Sequence, residues 1–381
     1  MNVVAWFLPN SIFSFLTGIL DHVSGIFFSV TSWVVPKDLL FFVDGFGNLQ
    51  GVEEGEQFIT HIVEGTETVT ELTVEWNNDY KSDLSVSSDV AYGVFISPAS
   101  LFLPEEVQTA YFAIIKPPGC KVFKGLVIHL AMTGDEGYSL RKYLMADDLC
   151  KMGYASLLLM MPFYGRRRAS KQSKHYIRTV EHYIKAAQAS MLEAACLVRW
   201  ARREYPGVPI CVAGLSYGGA MAACAACLAQ DPLSVVSAVG SDSARVLVTG
   251  LLSRQVCWAS LARDRPGRTR AQVAEELLAV LSARSVAALA DALERRPAAL
   301  RGGLRRAVCV SADSDAFIPP GDARALHAAM RRVVRLSGPG PESAAEVEWV
   351  PGGHASTVAL AARLVNPAID RVLREAAAPA C

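Results

Sequence analysis

After Lys124 the chain alternates short, unbroken apolar runs with segments long enough to be helices, and this alternation narrows the possible folds more than any other feature. The runs are Gly125–Leu130, Ala155–Met161, Pro209–Ala213, Val235–Val239, Ala307–Val310 and Val347–Val350. A strand that is apolar along its whole length needs cover on both faces, as in a parallel sheet flanked by helices. The pattern therefore predicts an α/β chain built on a mostly parallel, doubly wound sheet. Between the second and third runs, Met191, Ala194, Ala195 and Val198 recur at helical spacing, and Pro206 and Gly207 stop the helix. Upstream, Ala91–Ile96 and Thr109–Ile115 flank a proline-containing loop and predict an antiparallel pair. Val69, Leu72 and Val74 alternate with polar neighbours, which predicts an edge strand or hairpin within Thr66–Trp76. From Ser241 to Arg306 the sequence is Ala-, Leu- and Arg-rich, with breaks only at proline and glycine. That stretch predicts a helical cap over about 241–306, at the carboxyl ends of the strands, where ligands enter open sheets.

Charge excludes one class of partner. The formal net charge is zero and the isoelectric point is near 7, so no basic field would draw in nucleic acid. The carboxylates between Glu53 and Asp89, and the arginines between Arg245 and Arg335, read as solvated surface. Nine cysteines form an odd set without regular spacing, and Cys196, Cys211 and Cys309 lie in apolar runs. They predict buried thiols in a reducing, intracellular compartment. Cys224 and Cys227 have the gap of a metal-binding pair but lack a second pair, so neither a metal nor an organic cofactor is expected.

The first 40 residues are different. Trp6, Phe7, Phe13, Phe15, Phe27, Phe28 and Trp33 stand among few charges, while Pro9, Asn10, Asp21 and His22 interrupt the run before it could span a membrane as one helix. The first basic residue is Lys37, which fits neither a secretory signal nor a transit peptide. An interfacial or hairpin-like membrane contact is the leading expectation, and an arm packed on the core is the alternative. Residues 1–40 are thus read as a hydrophobic N-terminal segment and 41–381 as the folded domain.

The strongest chemical signal is Gly214-Leu215-Ser216-Tyr217-Gly218, directly after the apolar strand Ile210–Ala213 and directly before Gly219-Ala220-Met221-Ala222. A serine on a sharp strand-to-helix turn, with glycines two residues to either side, is a nucleophile elbow in its expected context. A neutral serine needs a base, and the base needs a third group to fix its tautomer. The chain order for such an elbow is serine, acid, histidine. His354 follows Trp349-Val350 and a Pro-Gly-Gly loop and is the expected base, whereas His327 falls within a helical run. Asp315 is preferred as the acid for its spacing to Ile318 and Pro319, with Asp313 and Asp242 as the other candidates. The oxyanion would be held by the backbone amide of Tyr217 and by that of Ala131 or Met132, in the loop after Gly125–Leu130. His129 is expected to pack and hydrogen-bond that loop.

Together these segments resemble the family of alpha/beta hydrolase domain-containing protein 18. The resemblance runs from about Tyr92 to Leu373. It is carried by His129-Leu130-Ala131 with Thr133-Gly134-Asp135, by Pro162-Phe163-Tyr164-Gly165-Arg166, by Thr249–Ser253 with Trp258, by Phe317-Ile318-Pro319 and by Gly352-Gly353-His354. It implies the alpha/beta-hydrolase fold and hydrolysis of an ester in a lipid-like substrate, such as an acyl chain of a phospholipid, at or near a membrane, with the mitochondrion as the suggested organelle. Met132 stands where the family usually has glycine, a departure that bears on the oxyanion loop. The stretch before the acid is much shorter than in animal members, and Met1–Val35 has no clear counterpart. Two other classes remain beside a serine hydrolase. One is a membrane-tethered, non-catalytic scaffold, which a broken triad would mark and which this sequence does not show. The other is an acyltransferase on the same serine, which only product analysis separates from a hydrolase.

Overall fold

The computed structural model describes residues 21, 36–77, 90–120, 122–297, 300, 303–337 and 344–377. The expected membrane contact falls on residues 1–40, which apart from Asp21 and 36–40 lie outside the described residues. Among the described residues no helix is long and apolar enough to cross a membrane.

The chain enters its core through Phe41, Phe42 and Phe46, all buried, and then α1 (Gln50–Glu64). Next come β1 (Glu75–Trp76), β2 (Val90–Ile96) and β3 (Thr109–Ile115), paired antiparallel. The apolar runs follow as β4 (Leu126–Leu130) and β5 (Ala155–Leu159), then α2 (Val180–Glu204), β6 (Ile210–Leu215), α3 (Tyr217–Leu228) and β7 (Leu233–Ala238). Helices α4 (Trp258–Arg263), α5 (Arg270–Ser282) and α6 (Val286–Glu294) come next, and β8 (Leu304–Ala312) begins after them. Then follow α7 (Pro320–Ser337), β9 (Ala344–Val350), the short α8 (His354–Ala359) and α9 (Asn366–Ala377).

The strands form one sheet of order β1-β2-β3-β5-β4-β6-β7-β8-β9, in which every pairing from β5 to β9 is parallel. Strands β4, β5, β6 and β7 are buried at every position, as their unbroken apolar sequence requires. Their alternate side chains feed two cores. Ile128 and Val212 pack with α2 and α3 on one face, whereas Val127, Cys211 and Ala213 pack with Ile369, Val372 and Leu373 of α9 on the other. Between β4 and β6 the strand order reverses direction, because β5 lies on the far side of β4. The loops leaving β4 and β6 diverge at such a point and open a crevice.

The strand expected within Thr66–Trp76 is mostly absent; only Glu75 and Trp76 pair, with Val94 and Gly93. Val69 and Leu72 are buried as the alternation requires, but side chains satisfy their backbone. The Val69 amide donates to Gln230 Oε1 at 3.2 Å, its carbonyl accepts from Arg199 at 2.8 Å, and the Leu72 carbonyl accepts from Arg203 at 3.1 Å. Apolar alternation marks which side chains are buried and leaves open what bonds the backbone.

A fully buried ion pair ties the antiparallel edge to the parallel sheet. Arg167 donates to both carboxylate oxygens of Glu193, at 2.6 and 2.8 Å, and neither residue is exposed. Arg167 also donates to the carbonyls of Val107 and Met160, while Glu193 accepts from Ser97 Oγ at 2.5 Å. Removing one charge leaves the other uncompensated in a low dielectric, which costs about 3–5 kcal/mol. Glu193→Leu and Arg167→Met should each lower stability by that amount. The double variant should lose clearly less than the sum, as read by denaturant unfolding of the three chains.

Candidate active site

Strand β6 ends at Leu215, and the backbone turns at Ser216 with φ 54° and ψ −121°, a conformation that side chains rarely adopt. The turn is held from both sides: the Ser216 amide donates to the Ala238 carbonyl at 2.8 Å, and the Ser216 carbonyl accepts from Ala220 at 3.1 Å. The flanking glycines are needed for space. A Cβ on Gly214 would collide with the Gly218 backbone, and one on Gly218 would collide with the Leu130 carbonyl at the end of β4. The elbow therefore sits hard against the strand whose loop carries Ala131, Met132 and Thr133.

The other two predicted residues come from the ends of β8 and β9, neighbours in the sheet. His354 Nε2 lies 2.9 Å from Ser216 Oγ, and His354 Nδ1 lies 2.8 Å from Asp315 Oδ2. With Nδ1 protonated toward the carboxylate, Nε2 is free to accept the serine proton. Asp315 is fixed by its other oxygen, which accepts the amides of Phe317 and Ile318, both at 2.8 Å. The Phe317 ring lies over the imidazole with centroids 4.9 Å apart. The histidine and aspartate side chains are only 11 % and 4 % exposed, so water competes little for these bonds.

The remaining candidates occupy other places. Asp313 is exposed, and its backbone amide donates to the Val350 carbonyl. Asp242 accepts the amides of Val286 and Ala287 at the start of α6. His327 contacts Ser311 at 2.9 Å. His129 is wholly buried, with Nε2 3.1 Å from Ser156 Oγ; burial, reinforced by the Arg141 guanidinium, pulls its pKa down to about 3 and keeps it neutral. The Cys224 and Cys227 thiols are buried on α3, close to the carbonyls of Arg284 and Ala223, and among the described residues no cluster could hold a metal ion.

Tyr217 begins α3, where a helix amide has no intrahelical acceptor. Ala131 and Tyr217 border one small gap of about 10 Å³, whereas Met132 packs against the core on the far side of the sheet. The side chain that reaches the cavity at Ser216 from this loop is Thr133. What holds the loop leaves no local trace in the sequence. Buried Arg141 donates to Asp135 at 2.5 Å, to the His129 and Leu159 carbonyls at 2.7 Å and to the Gly137 carbonyl at 2.8 Å. A cavity of about 110 Å³ opens beside Ser216, walled by Tyr183, Met221, Leu252, Leu281, Val286 and Ile318, with Asp242 also on its lining.

The parallel sheet with its reversal point, and the elbow at the carboxyl end of β6, define an alpha/beta hydrolase. The chain is similar in structure to acetyl xylan esterase 1 from Thermoanaerobacterium sp. JW/SL YS485, with TM-score 0.52 and 14% identity over 90% of this chain and 98% of that one. It is also similar to an acetyl xylan esterase from Paenibacillus sp. R4, with TM-score 0.49 and 14% identity over 89% and 97% of the two chains. At these identities the likeness concerns the fold. Residues 40–375 match the family model described as alpha/beta hydrolase domain containing 18, and the chain belongs to that family.

Burial pushes the Asp242 carboxyl from an ordinary 3.8 up to about 6, although the Val286 and Ala287 amides act the other way. A carboxyl whose folded pKa is raised loses stability as pH climbs from the unfolded value to the folded one. Asp242→Asn should therefore match the wild type below about pH 3, gain on it up to about pH 6 and keep an advantage of about 3 kcal/mol above that. Thermal melts across this range check it.

Proposed function

We propose that this protein is a serine hydrolase that cleaves the carboxylic ester of a lipid-like substrate through an acyl-enzyme. The reading rests on one observation, the continuous hydrogen-bonded line from Ser216 Oγ through His354 to Asp315. Ser216 Oγ attacks the acyl carbonyl while His354 Nε2 takes its proton; Asp315 holds the imidazole and stabilises the imidazolium that forms. The tetrahedral oxyanion is held by the Tyr217 amide and by that of Ala131 or Met132. As the intermediate collapses, His354 returns the proton to the leaving alcohol. Water, activated by the same histidine, then releases the acid.

A lipid-like acyl group is supported by the wall of the cavity beside Ser216, whose lining includes Met221, Leu252, Leu281, Val286 and Ile318. Burying a methylene against such a wall contributes about 0.8 kcal/mol, so an acyl chain gains affinity with each carbon it can insert.

The test is labelling of the purified chain with a serine-reactive fluorophosphonate, read as intact mass. One adduct is expected on the native protein and none on Ser216→Ala. Asp315→Asn should label and turn over short esters about 10³–10⁴ times more slowly, because the wrong histidine tautomer faces the serine. A folded native chain that takes up no adduct would overturn the reading.

A further inference from the structure

The segment that carries His354 is held only in part by its own sequence, through the Ser356 and Thr357 side chains on Gly353. Strand β9 ends at Val350, and Pro351, Gly352 and Gly353 follow, with Gly352 at φ +100°. Two successive glycines leave the backbone wide freedom in the unfolded and the folded chain alike. The Asp315 bond fixes the rotation of the imidazole. It does not fix where the backbone delivers it, and a displacement of about 1 Å can cost on the order of a hundredfold in rate.

The backbone is also anchored from far away in sequence. Asp21 Oδ2 accepts the Gly353 amide at 2.6 Å and the Ser356 hydroxyl at 2.7 Å, while Asp21 Oδ1 accepts the Ser356 amide at 2.9 Å. The carboxylate thereby fills the capping position of α8, the helix whose first residue is His354, from 332 residues away. Gly353 lacks the Cβ that would collide with the Asp21 carboxylate, so the residue that loosens the loop also admits the anchor. Other restraints come from α8 itself, where the Thr357 hydroxyl donates to the Gly353 carbonyl at 2.8 Å and the Ser356 hydroxyl shares the Gly353 amide with Asp21, and from the acid loop, where the Asp313 amide donates to the Val350 carbonyl at 3.0 Å and the Ser314 amide to the Gly352 carbonyl at 2.9 Å. A carboxylate on helix amides is favoured both as a cap and by the helix dipole.

We infer that Asp21 is a positioning residue for the hydrolase, which holds the start of α8 so that His354 Nε2 stays within reach of Ser216. The inference rests on the Ser216–His354–Asp315 reading, so it needs a readout that does not depend on turnover. That readout is the low-field proton resonance of His354 Nδ1–H in its bond to Asp315, assigned by its absence in His354→Gln.

The full chain, Asp21→Ala and Asp21→Asn are compared by this resonance, by thermal melting and by kcat and KM on p-nitrophenyl butyrate. Asp21→Ala should lose or broaden the resonance and lower kcat by about tenfold to a hundredfold, with KM changed less than about twofold. Asp21→Asn keeps one acceptor oxygen and should recover kcat to within about threefold of the wild type, with the resonance restored but shifted. A folded Asp21→Ala chain with unchanged resonance and kcat overturns the inference, as does a change confined to KM. If Asp21→Ala fails to fold, Asp21→Asn decides by its resonance alone: an unshifted resonance there overturns the inference. A wild type without turnover or fluorophosphonate adduct sinks the hydrolase reading, while the resonance still reports whether Asp21 holds the histidine.

Discussion

The site depends on a backbone held where backbones seldom rest. A non-glycine residue in the conformation of Ser216 costs of order 1–3 kcal/mol and persists only if its surroundings over-determine it. Here they do so through packing as much as hydrogen bonding. Gly214, Gly218 and Gly219 let β6, α3 and the ends of β4 and β7 approach to distances that a single methyl group would forbid. The Ser237 hydroxyl donates to the Gly219 carbonyl at 2.8 Å and pins the first turn of α3 to β7. Once that junction is closed the serine has one direction in which to project, and the loops from β4, β8 and β9 have a fixed point to meet.

Those loops are organised by buried polar groups at some distance from the serine. Arg141 draws together the strand ends of β4 and β5 and the Asp135 turn; Arg167 and Glu193 do the same for the loops at Ser97 and Val107. Such groups add little net stability compared with a well-packed apolar core, yet each guanidinium is satisfied in only one arrangement of the surrounding carbonyls. Arrangement matters here, because loops bearing reacting groups must return to the same geometry after each thermal excursion.

What the sequence revealed, and what it concealed, follows from the range of each interaction. The doubly wound sheet was legible because burial on both faces imposes unbroken apolar runs. The elbow was legible because its glycines are local steric necessities. Asp315 could be preferred over Asp313 from the nearby Ile318 and Pro319, and the physical ground is that its Oδ1 receives the Phe317 and Ile318 amides. Contacts across long separations left no local trace. Arg141 stands in none of the motifs, and Asp21 reads as an interruption in an apolar stretch, yet each binds backbone that belongs to the site. The Thr66–Trp76 segment misled for a related reason: its alternation reports burial truthfully, while its hydrogen bonds go to Gln230, Arg199 and Arg203, which no window around it contains.

Ser216, Asp315 and His354 come from the ends of β6, β8 and β9, whereas Leu252, Leu281 and Val286 of the cavity wall come from the stretch between β7 and β8. In the proposed hydrolase, part of the selectivity is therefore written apart from the chemistry, although Met221 and Ile318 of the same wall belong to the elements that carry Ser216 and Asp315. Substitutions, insertions or deletions among α4, α5 and α6 can reshape what is admitted while leaving the proton path intact. An evolving lineage, or an engineer, can thus explore new substrates there without first surrendering the old reaction.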